Sequence, residues 1–156
     1  MSETPEAGAS DSRRVVHVIH GPNLNLLGVR EPGVYGTQTL ADLDQSLRAL
    51  GGTLGVEVRT HQANGEGALI DLLHRARGTL GVVFNPGGYT HTSVALRDAI
   101  AAIDCPVVEV HLSNLYQRES FRHDSVTGGA CAGVVMGLGS DSYHLVLQYL
   151  IQAAKA

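Results

Sequence analysis

Short β-branched runs alternate with runs of helical period along this 156-residue chain, and that alternation limits the possible folds more than any other feature. Five segments read as strands: 15–19, 54–60, 80–84, 107–110 and 132–136. Four read as helices. Between residues 39 and 50, Leu40, Leu43, Leu47 and Leu50 form one stripe, and Thr39 with Asp42 forms a capping box at its start. Residues 66–77 and 93–103 repeat the helical period, with Ser93 as the cap of the second. The last helix, 141–154, places Leu145, Val146, Leu147, Leu150 and Ile151 on more than one face, so cover beyond its own sheet is expected.

Parallel strands need long right-handed crossovers, so this order predicts one α/β domain over residues 15–156: a flavodoxin-like, doubly wound, five-stranded parallel sheet with helices on both faces. Ligands in such sheets bind beyond the carboxyl ends of the strands, where the winding reverses between the first and third. The polar residues sit where that rule requires. His20 to Tyr35 follows the first strand, Asn85 to His91 the third, and Glu109 to Asn114 closes the fourth. With Arg118 and Arg122 downstream, these loops predict one crevice suited to a small polyhydroxylated acid.

Composition excludes several classes of partner. A net charge of −4, with no basic run beyond Arg13-Arg14, argues against nucleic acid and anionic membrane. No apolar stretch approaches the roughly 20 residues that span a bilayer. Residues 1–14 lack the apolar stretch of about 7 to 15 residues found in a secretory leader, and are expected to be a disordered tail. Cys105 and Cys131 have neither metal-like spacing nor a disulfide framework, which suits reduced thiols in the cytoplasm. The charged fraction of 17% is below the usual figure of about 25%, as expected of a chain that buries surface against copies of itself. His17, His61, His74, His123 and His144 are read as structural or solvated. His17 and His20, three apart on a strand, face opposite ways and make a poor metal pair.

Four separated motifs occur in a fixed order: Gly21-Pro22-Asn23-Leu24-Asn25-Leu26-Leu27-Gly28; Arg30-Glu31-Pro32 with Tyr35-Gly36; Asn85-Pro86-Gly87-Gly88-Tyr89-Thr90-His91-Thr92-Ser93; and Glu109-Val110-His111-Leu112-Ser113-Asn114 followed by Arg118-Glu119 and Phe121-Arg122-His123. Through them, residues 15–150 resemble the type II 3-dehydroquinate dehydratases. The resemblance implies a lyase that removes water from 3-dehydroquinate to give 3-dehydroshikimate. It further implies anti elimination through an enolate, with neither metal nor organic cofactor, in aromatic amino acid biosynthesis or quinate breakdown.

The family pattern assigns Tyr35 as the proton acceptor, His111 as the proton donor, Arg30 as the transition-state stabiliser, and Asn23 as holder of a water at the enolate oxygen. The chemistry accounts for these residue types. Ionising a tyrosine of pKa about 10 near neutral pH costs roughly 4 kcal/mol, and a partly desolvated guanidinium beside it offsets that. Glu109, two residues before His111 on the same side of a strand, can orient the imidazole and raise its basicity. Substrate binding falls to Asn85, His91, Leu112, Ser113 and Arg122, with Leu112 and Ser113 meeting the carboxylate through backbone donors. Asp98 completes a neighbouring subunit's site, and the resemblance implies a dodecamer built from trimers.

Three positions depart from the pattern: Gly65 and Tyr116 stand where histidines are usual, and Asp124 follows His123. Neither Gly65 nor Tyr116 is a catalytic position in the family pattern, and nothing in the sequence explains Asp124. Gly28, Gly33 and Gly36 suggest that residues 25–36 close over the substrate while carrying Arg30 and Tyr35. Two other readings compete. A flavodoxin-like ligand-binding module would need an aromatic pair or phosphate loop, and a catalytically idle oligomeric relative has no reason to keep Arg30, Tyr35, Glu109 and His111 together.

Overall fold

The computed structural model describes residues 14–29, 33 and 36–155. Arg30, Tyr35 and the segment 1–13 expected as a tail therefore lie outside the described residues. Five parallel strands pair in the order β2-β1-β3-β4-β5: β1 Val15–His20, β2 Glu57–Gln62, β3 Gly81–Asn85, β4 Val107–His111 and β5 Gly133–Met136. This is the flavodoxin-like order, and the winding reverses between β1 and β3 as expected.

The pleat divides the core in two. Val16, Val18, Val83, Val108 and Val110 pack under α1 (Leu40–Thr53) and α4 (Asp141–Ala153), which supply Leu43, Leu47, Val146, Leu147 and Leu150. On the opposite face, Ile19, Val82, Phe84 and Val107 meet α2 (Glu66–Arg75) and α3 (Val94–Ala102) through Leu69, Leu73, Leu96 and Ile100. Strands β1, β3 and β4 are buried along their whole length, which is why β-branched apolar residues dominate them.

The caps form as the spacing implied. Thr39 Oγ1 accepts the Asp42 N–H at 3.2 Å, and Asp42 Oδ2 accepts the Thr39 N–H at 3.1 Å. Ser93 Oγ accepts the Leu96 N–H at 3.0 Å.

One expectation needs correction. The second strand begins at Glu57 rather than Leu54, because Leu54 still bonds back to Leu50 and Gly51 and Gly55 turns the chain at φ 79°. The last helix has the expected cover beyond its own sheet, from α1. The sheet and α1 bury Val146, Leu147, Leu150 and Ile151, but Leu145 remains 47% exposed and Tyr149 55% exposed.

Candidate active site

Three loops meet at the carboxyl ends of β1, β3 and β4, and β1 and β3 approach closely there. Gly21 N–H donates to Asn85 O at 2.7 Å. Gly87, at φ +61°, lies against Pro22. Beyond this junction is a cleft whose described lining includes Asn23, Asn85, His91, His111, Leu112, Ser113, Arg118 and Arg122. Seven residues expected to bind or act on substrate thus share one wall. Glu109 lies behind it. Asp98 does not join them: it sits exposed on α3, away from this lining.

Asn23 is the one non-glycine residue with positive φ among the described residues, at φ 69°. Asparagine tolerates this left-handed backbone better than branched side chains do. Its N–H donates to Asn64 Oδ1 at 3.1 Å, and Gln62 Nε2 holds that same oxygen at 2.9 Å while donating to Gly21 O at 3.1 Å. Gln62 and Asn64 thus fix the first loop from β2, a role no motif announced.

His111 and Glu109 project from the same side of β4, with His111 Nε2 3.0 Å from Glu109 Oε2. The carboxylate is fully buried. Burial alone would raise its pKa, but the hydrogen bond and charge of His111, together with the Thr127 and Ser125 hydroxyls, outweigh it and hold the group below the usual glutamate range. Ser125 Oγ donates at 2.9 Å to Oε2, and Thr127 Oγ1 donates to Oε1. A buried carboxylate with these three partners stays anionic and holds the imidazole in one orientation. Ser125 and Thr127 are further residues of the site that sequence reading missed, for they lie 16 and 18 residues from Glu109.

His91 Nδ1–H donates to the backbone O of Asp124 at 2.8 Å. The departure at Asp124 is thereby explained: position 124 orients His91 through its main chain, whatever its side chain. Tyr116 is exposed, its ring 5.8 Å from that of His123. Gly65 is the N-terminal cap of α2, with no side-chain bond there. Arg122 Nε donates to Glu119 Oε2 at 2.6 Å, and Arg118 Nη1 reaches Ser113 Oγ at 3.5 Å, so two guanidinium groups border the backbone at Leu112 and Ser113. An anion in this cleft would meet both positive charge and backbone donors.

The family model for class II dehydroquinases matches residues 14–151. The chain belongs to the class II dehydroquinases. Among curated members of this family, a 3-dehydroquinate dehydratase from Marinomonas sp. is 53% identical over 147 residues, covering 90% of this chain and 98% of that one. A catabolic 3-dehydroquinase 1 from Fusarium vanettenii is 49% identical over 138 residues, covering 88% and 96%. The crystal structure of a type II dehydroquinase from Butyrivibrio crossotus superposes with a TM-score of 0.86 at 42% identity, covering 89% of this chain and 98% of that one. The five-stranded parallel sheet is thus the fold of type II dehydroquinases.

Among the described residues, no group of three or more His, Cys, Asp or Glu side chains is placed to hold a metal ion. No described helix is long and apolar enough to cross a membrane.

Proposed function

We propose that this class II dehydroquinase dehydrates 3-dehydroquinate to 3-dehydroshikimate, and that it does so by anti elimination through an enolate. The observation that carries the reading is the buried Glu109 behind His111 at the head of a cleft lined by Asn23, Asn85 and Arg122. Tyr35, as phenolate, takes the proton beside the ketone, and Arg30 offsets the charge of the phenolate. Electrons move into the carbonyl to give an enolate, whose oxygen is met by a water held at Asn23. His111 protonates the departing hydroxyl, the C–O bond breaks, and a conjugated enone and water leave. A proton must then pass from Tyr35 back to His111 before the next turnover.

In the same reading, the backbone donors of Leu112 and Ser113 take the substrate carboxylate, and Asn85, His91 and Arg122 take its oxygen substituents. The active form is a dodecamer of trimers in the cytoplasm, with the exposed Asp98 completing a neighbouring site. Use in aromatic biosynthesis or in quinate breakdown rests on the same reaction, and one relative is named a catabolic 3-dehydroquinase.

Following the ultraviolet absorbance of the enone after mixing with 3-dehydroquinate tests the reaction. Turnover that persists with chelator and disappears in Tyr35→Phe supports the reading. Absence of product from a folded parent oligomer would sink it. Sedimentation of parent and Asp98→Ala tests the assembly: activity lost from an intact dodecamer fits a shared site, whereas an active monomer contradicts it.

A further inference from the structure

Asn85 enters the cleft from the end of β3 with both ends of its amide already bonded to the framework. Oδ1 accepts the Gly87 N–H at 3.0 Å, and Nδ2 donates to the Tyr143 hydroxyl at 2.9 Å. An amide nitrogen carries two hydrogens, so one N–H remains for the cleft. Which way the amide faces decides whether the cleft meets a donor or an acceptor.

The Tyr143 hydroxyl lies 3.2 Å from His20 Nδ1, and His20 Nε2 lies 2.7 Å from Asp44 Oδ1. These contacts have one consistent set of proton directions. Asp44 accepts from His20 Nε2–H, and with Nδ1 as a lone pair that accepts the Tyr143 O–H, every hydrogen in the chain of contacts has an acceptor. The Tyr143 oxygen in turn accepts from Asn85. Turning the amide over would set Oδ1 against an oxygen with no hydrogen to give, and Nδ2 against the Gly87 N–H. Two bonds would become two repulsions.

His20 and Tyr143 are fully buried between the sheet, α1 and α4. A phenylalanine would fill the Tyr143 position without needing polar partners, since a buried hydroxyl costs stability unless bonded. Of the bonds of this hydroxyl, one leads to His20 and Asp44 and the other to a residue of the cleft.

We propose that Tyr143, backed by His20 and Asp44, is a positioning residue that holds Asn85 with its remaining N–H aimed at an oxygen of the substrate. This rests on the reading of the cleft as the 3-dehydroquinate site. Tyr143 touches no substrate. It acts through Asn85.

A double-mutant cycle in kcat/KM on the full chain tests it, using parent, Tyr143→Phe, Asn85→Ala and the double variant, with oligomer mass and melting temperature recorded for each. Tyr143→Phe is expected to lower kcat/KM by about tenfold in the parent, the size of one buried hydrogen bond. In the Asn85→Ala background it should have almost no further effect on kcat/KM, while still lowering the melting temperature. Equal losses of kcat/KM in both backgrounds would overturn the proposal, because a purely structural role acts whether or not Asn85 is present. If Tyr143→Phe fails to assemble, the same cycle with Asp44→Ala, at the solvent edge of the chain, gives the same two outcomes. A parent that folds but does not turn over 3-dehydroquinate would refute the functional reading itself, whereas an active parent with an additive cycle would refute only the positioning.

Discussion

The Glu109 carboxylate and the His111 imidazole, one strand period apart on β4, meet at 3.0 Å with the glutamate wholly inside the protein and the histidine at the cleft. Their order matters: an anion held below its usual pKa stands behind the ring and fixes its orientation. Replacing Glu109 by Gln keeps the shape and removes the charge. We expect kcat of Glu109→Gln to fall by about a hundredfold, at the lower end of what general acid–base groups contribute. KM should change little, since Glu109 touches no substrate. Steady-state kinetics decide this, and an unchanged kcat would remove Glu109 from the support of the acid.

A second pair of histidines makes stability depend on pH. His17 Nδ1 lies 2.9 Å from His61 Nε2 with the rings stacked, on the α2/α3 face of the sheet. Burial, then the neighbouring charges of His61 and Arg59, pushes His17 down from 6.5 to about 4. His61 is lowered too, by burial and then by Arg75. Both are depressed, so below pH 6.5 the unfolded chain binds protons that the folded chain refuses. The stability contribution is complete above pH 6.5 and is lost as pH falls toward about 4. At roughly 1.4 kcal/mol per pH unit, His17 accounts for about 2 kcal/mol of the loss between pH 6.5 and pH 5. Denaturant unfolding at pH 7.5 and pH 5 should show the drop, and His17→Leu should reduce it; a variant with the parent's full drop would contradict this origin.

Local and near-local signals carried most of the fold. The Thr39–Asp42 box spans three residues, and the buried strands announced themselves as apolar runs, so element order and winding followed. The three-loop cleft then followed from where such sheets bind ligands. The start of β2 was obscured because Leu54, at the end of α1, falls in step with the alternation of Val56 and Val58 although Gly55 turns the chain between them. Partners distant in sequence left no periodic trace. Tyr143 meets His20 across 123 residues, and Thr127 meets Glu109 across 18, so only the folded chain reveals that these polar groups satisfy one another. Asp98 read as a site residue only through resemblance, and in the single chain it is exposed.

The two cysteines should be inert while the protein is folded. Burial, then the Glu109 charge, pushes the Cys131 thiol up to about 12, and burial raises Cys105 as well. Their S–H groups donate to the carbonyls of Thr127 and Ala76. At pH 8 about one Cys131 in ten thousand would be thiolate, the reactive form. A chromogenic disulfide reagent should therefore titrate slowly in the native protein and at once, to two thiols per chain, in denaturant. Rapid native reaction at either cysteine would show that its surroundings are more open than described.

Gly21 tests whether the junction of β1 and β3 builds the site. A Cβ there would lie 2.6 Å from both C and O of Pro86 and 2.8 Å from Asn85 O. All three are backbone atoms, so no side chain can swing aside, and the Gly21 N–H bond to Asn85 O at 2.7 Å holds the strands at this separation. Gly21→Ala must push β3 away from β1 at the position where Asn85 enters the cleft. Overpacking of this kind costs roughly 1 to 3 kcal/mol. The displacement also reaches Asn23 on one side and Gly87 on the other, so kcat/KM should fall by more than the fraction of unfolded protein explains. Comparing activity per folded oligomer with the unfolding midpoint separates the two effects. A variant destabilised but fully active per folded molecule would show that the close approach serves stability alone.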